Sequence, residues 1–260
     1  MHPTVFSYTT VAADLQLRPW IRGCWEFRVS ASAPSEHHVP PDGQAFVVLV
    51  ESGPGPARLF AYGPRIEPLI VPCEPGARYR GLRLAPESAP LLLGVSARAL
   101  CRAPVAVTRI GPVRAEDVCN ALSAGPLTDA QTALDRLFLP LIRELTPPDL
   151  TVANALQAIC DSGGRTRLTE VACAAGVSPR TLLRRVRAAT GLSPKQHARI
   201  ARFLGAAHGM LEPGNRLSHI AARGGYADQP HLSHEVSSLT GLTPGQLAER
   251  VRRTAHRFDD

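Results

Sequence analysis

The chain has 260 residues, of which 44% are hydrophobic and 20% charged, and its formal net charge is +7. That apolar content is enough for packed cores and argues against wholesale disorder. No apolar run approaches the eighteen or so residues of a membrane span, and MHPTVFSYTTVAADLQLRPW lacks the basic start and apolar block of a signal peptide, so a cytoplasmic protein of one large or two ordinary domains is expected.

In chain order, residues 20–85 hold short apolar or alternating runs, WEFRV, AFVVLV, RLFAY, PLIVP and YRGLRL, broken by Pro and Gly. These read as strands of a sandwich or small barrel. A small barrel can hold one ligand, and Trp25, Phe27, Tyr62, Arg80 and Arg83 are the candidate pocket residues. His37 and His38 suggest a metal site, but neighbours on a strand face opposite sides and no matching Glu or third His is evident, so no metal is expected.

The stretches 87–100 and 128–145 read as helices. In the second, Leu134, Leu137, Phe138, Leu141, Ile142 and Leu145 recur at helical spacing, which suits either a packed helix or a dimer interface. Cys24, Cys73, Cys101, Cys119, Cys160 and Cys173 form no C-x-x-C pair. They read as buried free thiols, with redox or metal sensing as the alternative.

The charge is uneven. Residues 1–150 carry 14 Arg against 14 Asp and Glu, whereas residues 151–260 carry 15 Arg and Lys against 8 Asp and Glu, so the excess of seven lies wholly in the C-terminal part. A basic segment joined to a neutral one suits a polyanion-binding module, although charge alone does not separate DNA from RNA, an anionic membrane or a solvated face.

An internal repeat narrows the choice. Leu168, Ala172 and Gly176 match Leu217, Ala221 and Gly225 at an offset of 49. Leu182, Val186, Gly191 and Pro194 match Leu232, Val236, Gly241 and Pro244 at an offset of 50. Each copy reads as helix, tight turn, helix, with a glycine after the first helix and Ser178 or Asp228 capping the second. This is the helix-turn-helix pattern that places a second helix in the major groove. Residues 195–211 read as one helix, about 25 Å long, that sets the two units roughly one DNA turn apart.

From about 152 to 253 the chain resembles the DNA-binding domain of the AraC/XylS regulators, most clearly in IAARGGYADQPHLSHEVSSLTGLTPGQLAER. The resemblance implies a seven-helix, two-lobed domain, with units at about 168–191 and 217–241, that binds double-stranded promoter DNA and usually activates transcription by contacting RNA polymerase. Residues 1–148, with RGCWEFRV and PGARYRGLRLAPESAPLLLGVSARAL, look like a cupin-like sensor or dimerisation domain of such regulators. The expected fold class is therefore α+β: a small β-barrel with flanking helices, then an all-α domain of two helix-turn-helix units joined by a long helix. A small-molecule effector and a homodimer are the further partners implied, with no cofactor and no membrane.

In the first unit Arg180 and Arg184 lie four apart on one face and match base-reading positions of the family. Leu183 suits apolar contact with a thymine methyl, while Ser178, Thr181, Arg185 and Arg187 suit phosphate contact or solvent. The second recognition helix has no Arg or Lys, and Glu235 adds an anionic charge. Its candidate readers are Gln229, His231, Ser233 and His234, with Gln229 alternatively bonding within the turn and the histidines either pH-sensitive or ordinary surface residues. The first unit is therefore expected to carry most of the electrostatic affinity. An enzyme or an alkyl-accepting repair regulator acting through the N-terminal domain is the alternative class. No HExxH, GxSxG, P-loop or GxGxxG pattern is present, so no catalytic residue is assigned and a non-enzyme is expected.

Overall fold

A computed structural model describes residues 5–50, 57–212 and 214–255. Its first strands are β1 (Phe6–Ala12), β2 (Ile21–Val29), β3 (Glu36–Val39), β4 (Ala45–Val50), β5 (Arg58–Tyr62), β6 (Leu69–Pro72) and β7 (Arg78–Leu84). Two short helices follow, α1 (Ala89–Leu93) and α2 (Ala97–Arg102), then β8 (Val105–Val107) and the small hairpin of β9 (Arg109–Ile110) and β10 (Val113–Arg114). Helices α3 (Ala115–Ser123) and α4 (Leu127–Phe138) complete the N-terminal half, with a 3-10 segment over Leu139–Glu144.

The main sheet has seven strands in the order β11-β1-β2-β7-β4-β5-β8, where β11 (Thr254–Ala255) returns from the far end of the chain to run parallel to β1. Period-two alternation puts Ala45, Val47 and Leu49 of β4 on one face, with Leu59, Ala61, Leu82 and Leu84, in one core with Val118, Leu122, Leu134 and Phe138 of α3 and α4. The opposite face carries Phe6, Trp25, Phe27 and Val29 beneath the β3–β6 pair. Trp25 lies across Gly81, where a Cβ would stand 1.9 Å from the Val47 carbonyl oxygen and 2.7 Å from the indole. Glycine is required there by close approach.

Two helices differ from the expectation. The stretch 87–100 is split, because Gly94 takes a left-handed φ of 62° and Ser96 caps a new helix by accepting from the Ala99 amide. The stretch 128–145 is α-helical only to Phe138, since Pro140 has no amide to continue the ladder. Its apolar stripe is consumed inside the chain: Leu134, Phe138 and Leu145 are buried in the sheet core. That packing is the first of the two readings, a packed helix.

Apart from β11, the described elements of the C-terminal half are helices: α5 (Leu150–Asp161), α6 (Leu168–Ala174), α7 (Pro179–Thr190), α8 (Pro194–Leu211), α9 (Leu217–Arg223), α10 (Gln229–Thr240) and α11 (Pro244–Arg253). It has two cores. Val152, Leu156, Val171, Leu182 and Val186 join α5, α6 and α7. Phe203, Met210, Ile220, Leu232, Val236, Leu239 and Leu247 join the end of α8 to α9, α10 and α11. Helix α8, 18 residues and so about 27 Å long, runs from one lobe into the other. No described helix is long and apolar enough to cross a membrane.

Candidate nucleic-acid interface

The repeat seen in the sequence is a repeat of hydrogen bonds. After α6 the Val177 amide donates to the Ala172 carbonyl at 3.0 Å, and after α9 the Tyr226 amide donates to the Ala221 carbonyl at 3.0 Å. Gly176 and Gly225 sit at φ of 65° and 73°, the left-handed geometry this helix ending demands. The one-residue change of offset falls in the turn, with four residues between α6 and α7 and five between α9 and α10. Ser178 then caps α7 by accepting from the Thr181 amide at 3.1 Å, and Asp228 caps α10 by accepting from the His231 amide at 2.7 Å.

A second repeated device was not read from the sequence. Thr190 Oγ1 donates to the Val186 carbonyl and accepts from the Leu192 amide, and Thr240 does the same with Val236 and Leu242. Both threonines are buried and turn the chain out of a recognition helix. Thr190 also meets the buried His197 ring at 2.9 Å. Burial holds that imidazole at a pKa of about 4, so it is neutral at pH 7.

On α7, Arg180, Leu183, Arg184 and Arg187 are exposed, together with the capping Ser178, while Thr181 is half-buried. Leu182, Val186 and Thr190 point inward. One face of α7 therefore presents three guanidinium groups flanking an apolar side chain. Arg185 does not belong to that face. Its Nε and Nη2 grip Asp149 at 2.7 and 2.5 Å. Asp149 caps α5 by accepting from the Thr151 and Val152 amides. Burial opposes ionisation of Asp149, but the Arg185 hydrogen bond and these amides outweigh it and hold the carboxyl below its usual range. The expectation of a phosphate contact or a solvent-facing role for Arg185 is corrected: it ties α7 to α5.

On α10, Gln229, His231 and His234 are exposed and Ser233 is half-buried. His231 Nδ1 accepts from the Ala227 amide at 3.3 Å and its ring stands edge-on to Tyr226 at 5.4 Å, so this histidine is fixed by the turn. Glu235 is buried and turned away from the exposed face. Arg199 reaches it at 2.9 Å and Arg202 at 3.8 Å, both from α8. The sequence reading counted Glu235 as an anionic charge on the second recognition helix, and Arg199 and Arg202 fall within the basic excess of residues 151–260. The Glu235 carboxylate instead lies between these two guanidinium groups and offsets one of their two charges, and Arg185 is likewise spent on Asp149. The charge asymmetry between the units is thereby reduced, but the exposed face of α10 still carries no Arg or Lys.

The five candidate pocket residues of the N-terminal half are not brought together. Trp25 and Phe27 are core residues beneath the β3–β6 pair. Arg80 is buried, 2.8 Å from Glu26, and donates to the Leu122 and Gly125 carbonyls, which clamps the sheet to the α3–α4 connection. Tyr62 is half-buried, and burial raises its pKa. Arg83 alone of the five lines a cavity of about 620 Å³, which lies between the sheet and helices α5 and α8. Its companions Tyr8, Arg22, Asp42 and Gln44 are scattered over 37 positions of sequence and carry no motif. The cysteines also differ from expectation in part: Cys24, Cys73 and Cys119 are buried, but Cys160 and Cys173 are exposed. Burial pushes the Cys24 thiol up to about 12, which suppresses the nucleophilic thiolate.

Residues 171–250 match the model of a helix-turn-helix domain, and residues 9–105 match a domain of unknown function. No curated protein matches the chain. Among solved structures, the chain is similar to the C-terminal domain of AraT, a response regulator from Geobacillus stearothermophilus, with 28% identity over 43% of this chain and 93% of that one and a TM-score of 0.36. It is similar to an AraC-type regulator from Chromobacterium violaceum with 20% identity over 40% of this chain and 91% of that one, TM-score 0.37. A third likeness, to ToxT from Vibrio cholerae, spans 96% of this chain and 98% of that one at 10% identity and a TM-score of 0.45. The matched segment 171–250 contains both turns, both recognition helices and the helix that joins them. Residues 171–250 are accordingly an AraC-type helix-turn-helix DNA-binding domain, joined to an N-terminal domain of unknown function over residues 9–105.

Proposed function

We propose that the chain is a cytoplasmic, sequence-specific activator that binds promoter DNA through α7 and α10, contacts RNA polymerase and takes its signal through the N-terminal half, without catalysing a reaction. The observation that carries this reading is the exposed face of α7, where Arg180, Arg184 and Arg187 project while Leu182 and Val186 anchor the same helix in its core. Arg180 and Arg184 read base edges, since a guanidinium meets guanine bidentately. Leu183 contacts a thymine methyl, and Ser178, Thr181 and Arg187 contact phosphates. Helix α10 is the weaker reader, through Gln229, Ser233 and His234.

Quantitative gel-shift titration on the native promoter tests this. Arg184→Ala is expected to weaken specific binding by about 1–3 kcal/mol, and His234→Ala by clearly less. Equal losses would show that the two units share the affinity evenly. Conversion of a small molecule by residues 1–150 would replace the sensor reading with an enzymatic one.

A further inference from the structure

The two lobes of the helical half meet mainly through α8. Apart from it, no helix of the first lobe packs extensively on a helix of the second. One hydrogen bond joins the lobes without passing through α8: Arg165 Nη1 donates to the Arg223 carbonyl at 3.2 Å, across 58 positions of sequence. Arg165 lies between α5 and α6, and Arg223 is the last residue of α9.

Both ends of this bond are held in place. Gly164 takes a left-handed φ of 71°, its amide donates to the Ile159 carbonyl at 2.8 Å, and an added Cβ would stand 2.0 Å from the Ala198 carbonyl oxygen of α8. Conformation and close approach both require glycine there. The Thr166 amide donates to Ser162 Oγ at 3.3 Å, so the chain is fixed on either side of Arg165. On the receiving side, the last four carbonyls of a helix have no partner within it, and an arginine satisfies one of those of α9. The arginine stem also lies over the turn, since an added Cβ at Gly225 would stand 3.7 Å from Arg165 Cγ and 3.8 Å from its Cδ. The turn gripped in this way is the one that aims α10.

The arm has no counterpart in the second lobe, because Gly214 stands where the offset of 49 would repeat Arg165. The N-terminal half touches both lobes as well: Cys101 Sγ donates to the Thr190 carbonyl, Arg250 of α11 donates to the Glu36 carbonyl, and β11 pairs with β1. Those contacts fall at the end of α7 and at or beyond α11, not at the turn before α10. Glu235 ties α10 to α8, and Arg165 ties its turn to the first lobe.

We propose that Arg165 is a positioning residue for DNA recognition, bracing the turn of the second unit against the first lobe and so setting the spacing and angle between α7 and α10. Two recognition helices on one rigid body accept one separation of their base contacts along the duplex. One base pair more or less moves a contacted segment by about 3.4 Å and turns it by roughly 36° about the axis. Without the brace the helices adapt to that change, and its penalty shrinks. The inference rests on the reading that α7 and α10 both contact DNA.

Gel-shift titration of the full chain tests it on the native promoter site and on two versions with one base pair added or removed between the segments that α7 and α10 contact. The native chain is expected to bind both altered duplexes at least tenfold more weakly. Arg165→Ala should cut that penalty at least threefold, and Arg165→Lys, which keeps a donor in reach of the same carbonyl, should restore most of it. The salt dependence of Arg165→Ala on the native site should match that of the native chain. An unchanged spacing penalty, or a salt slope shallower by one phosphate contact, overturns the proposal. Nitroxide labels at Ala188→Cys on α7 and His234→Cys on α10, with the exposed Cys160 and Cys173 replaced by serine, read the lobes without DNA. Their distance distribution should broaden or shift in Arg165→Ala, and an unchanged distribution also overturns the proposal. A native chain that binds all three duplexes equally sinks the two-helix reading instead, and the label distances then decide the brace by themselves.

Discussion

Replacing Arg185 with alanine should cost stability and spare DNA affinity, while replacing its neighbour Arg184 should do the reverse. The two residues are adjacent and equally charged, so the contrast isolates what the tertiary structure adds. Arg185 grips Asp149 through two hydrogen bonds, at 2.7 and 2.5 Å, with side chains 36% and 31% exposed. Exposed ion pairs contribute about 0.2–1 kcal/mol, and bidentate geometry on a helix cap places this pair near the upper end. Asp149 keeps its two amide donors in the variant, so no charge is left bare. A loss of about 1 kcal/mol in a chain of this size lowers Tm by roughly 2–4 °C. Arg184 is exposed, and its replacement breaks no ion pair among the described residues. Loss of a bidentate base contact there removes about 1–3 kcal/mol, or roughly 5- to 150-fold in affinity. Thermal unfolding and gel shifts at one fixed salt concentration measure both quantities. If Arg185→Ala lost as much DNA affinity as Arg184→Ala while its Tm stayed unchanged, the pairing with Asp149 would not be the state that meets DNA.

Three further outcomes are expected. His197 is held at about 4 against an ordinary value of 6.5. The unfolded chain therefore takes up a proton that the folded chain refuses, so stability is full above pH 6.5, falls toward pH 4 by no more than about 3 kcal/mol, and is flat below; Tm measured across that window in the native chain and in His197→Gln separates this residue from the rest. Gly191→Ala should destabilise more than Gly241→Ala. Both sit at left-handed φ, but an added Cβ at 191 stands 2.4 Å from Cys101 Sγ and 2.9 Å from the Ala97 carbonyl, whereas at 241 it meets nothing within 4 Å. The second variant should lose about 1–2 kcal/mol and the first clearly more, by denaturant titration. Glu235→Ala leaves Arg199 and Arg202 without their carboxylate and should lower Tm by more than Arg185→Ala. Its effect on the salt dependence of DNA binding tests the burial directly: a steeper slope, by about one phosphate contact, would mean that this carboxylate faces the duplex.

Helix-turn-helix order was legible in the chain because it is a local property. Helix endings at Gly176 and Gly225, caps at Ser178 and Asp228, and apolar residues at helical spacing each depend on a few neighbouring residues, and their repetition at offsets of 49 and 50 made the pattern specific. Five strands of the N-terminal half, β2, β4, β5, β6 and β7, were legible as short apolar or alternating runs, whereas β1, β3 and the short β8, β9 and β10 were not. Helix length was less legible, because Gly94 and Pro140 ended helices that apolar spacing alone would have prolonged. Which charges face outward was legible only in part. Arg184 and Arg185 carry the same charge one residue apart, and only the position of Asp149, 36 residues from Arg185, decides that one of them is held within the fold. Glu235 counts against DNA affinity in the sequence, yet Arg199 and Arg202 withdraw it from the interface. The cavity wall of Arg22, Asp42, Gln44 and Arg83 is likewise made by strand pairing and helix packing rather than by spacing. Periodicity and capping act over a few residues and can be read from order; burial, ion pairing and enclosure act across space between residues that the chain keeps far apart.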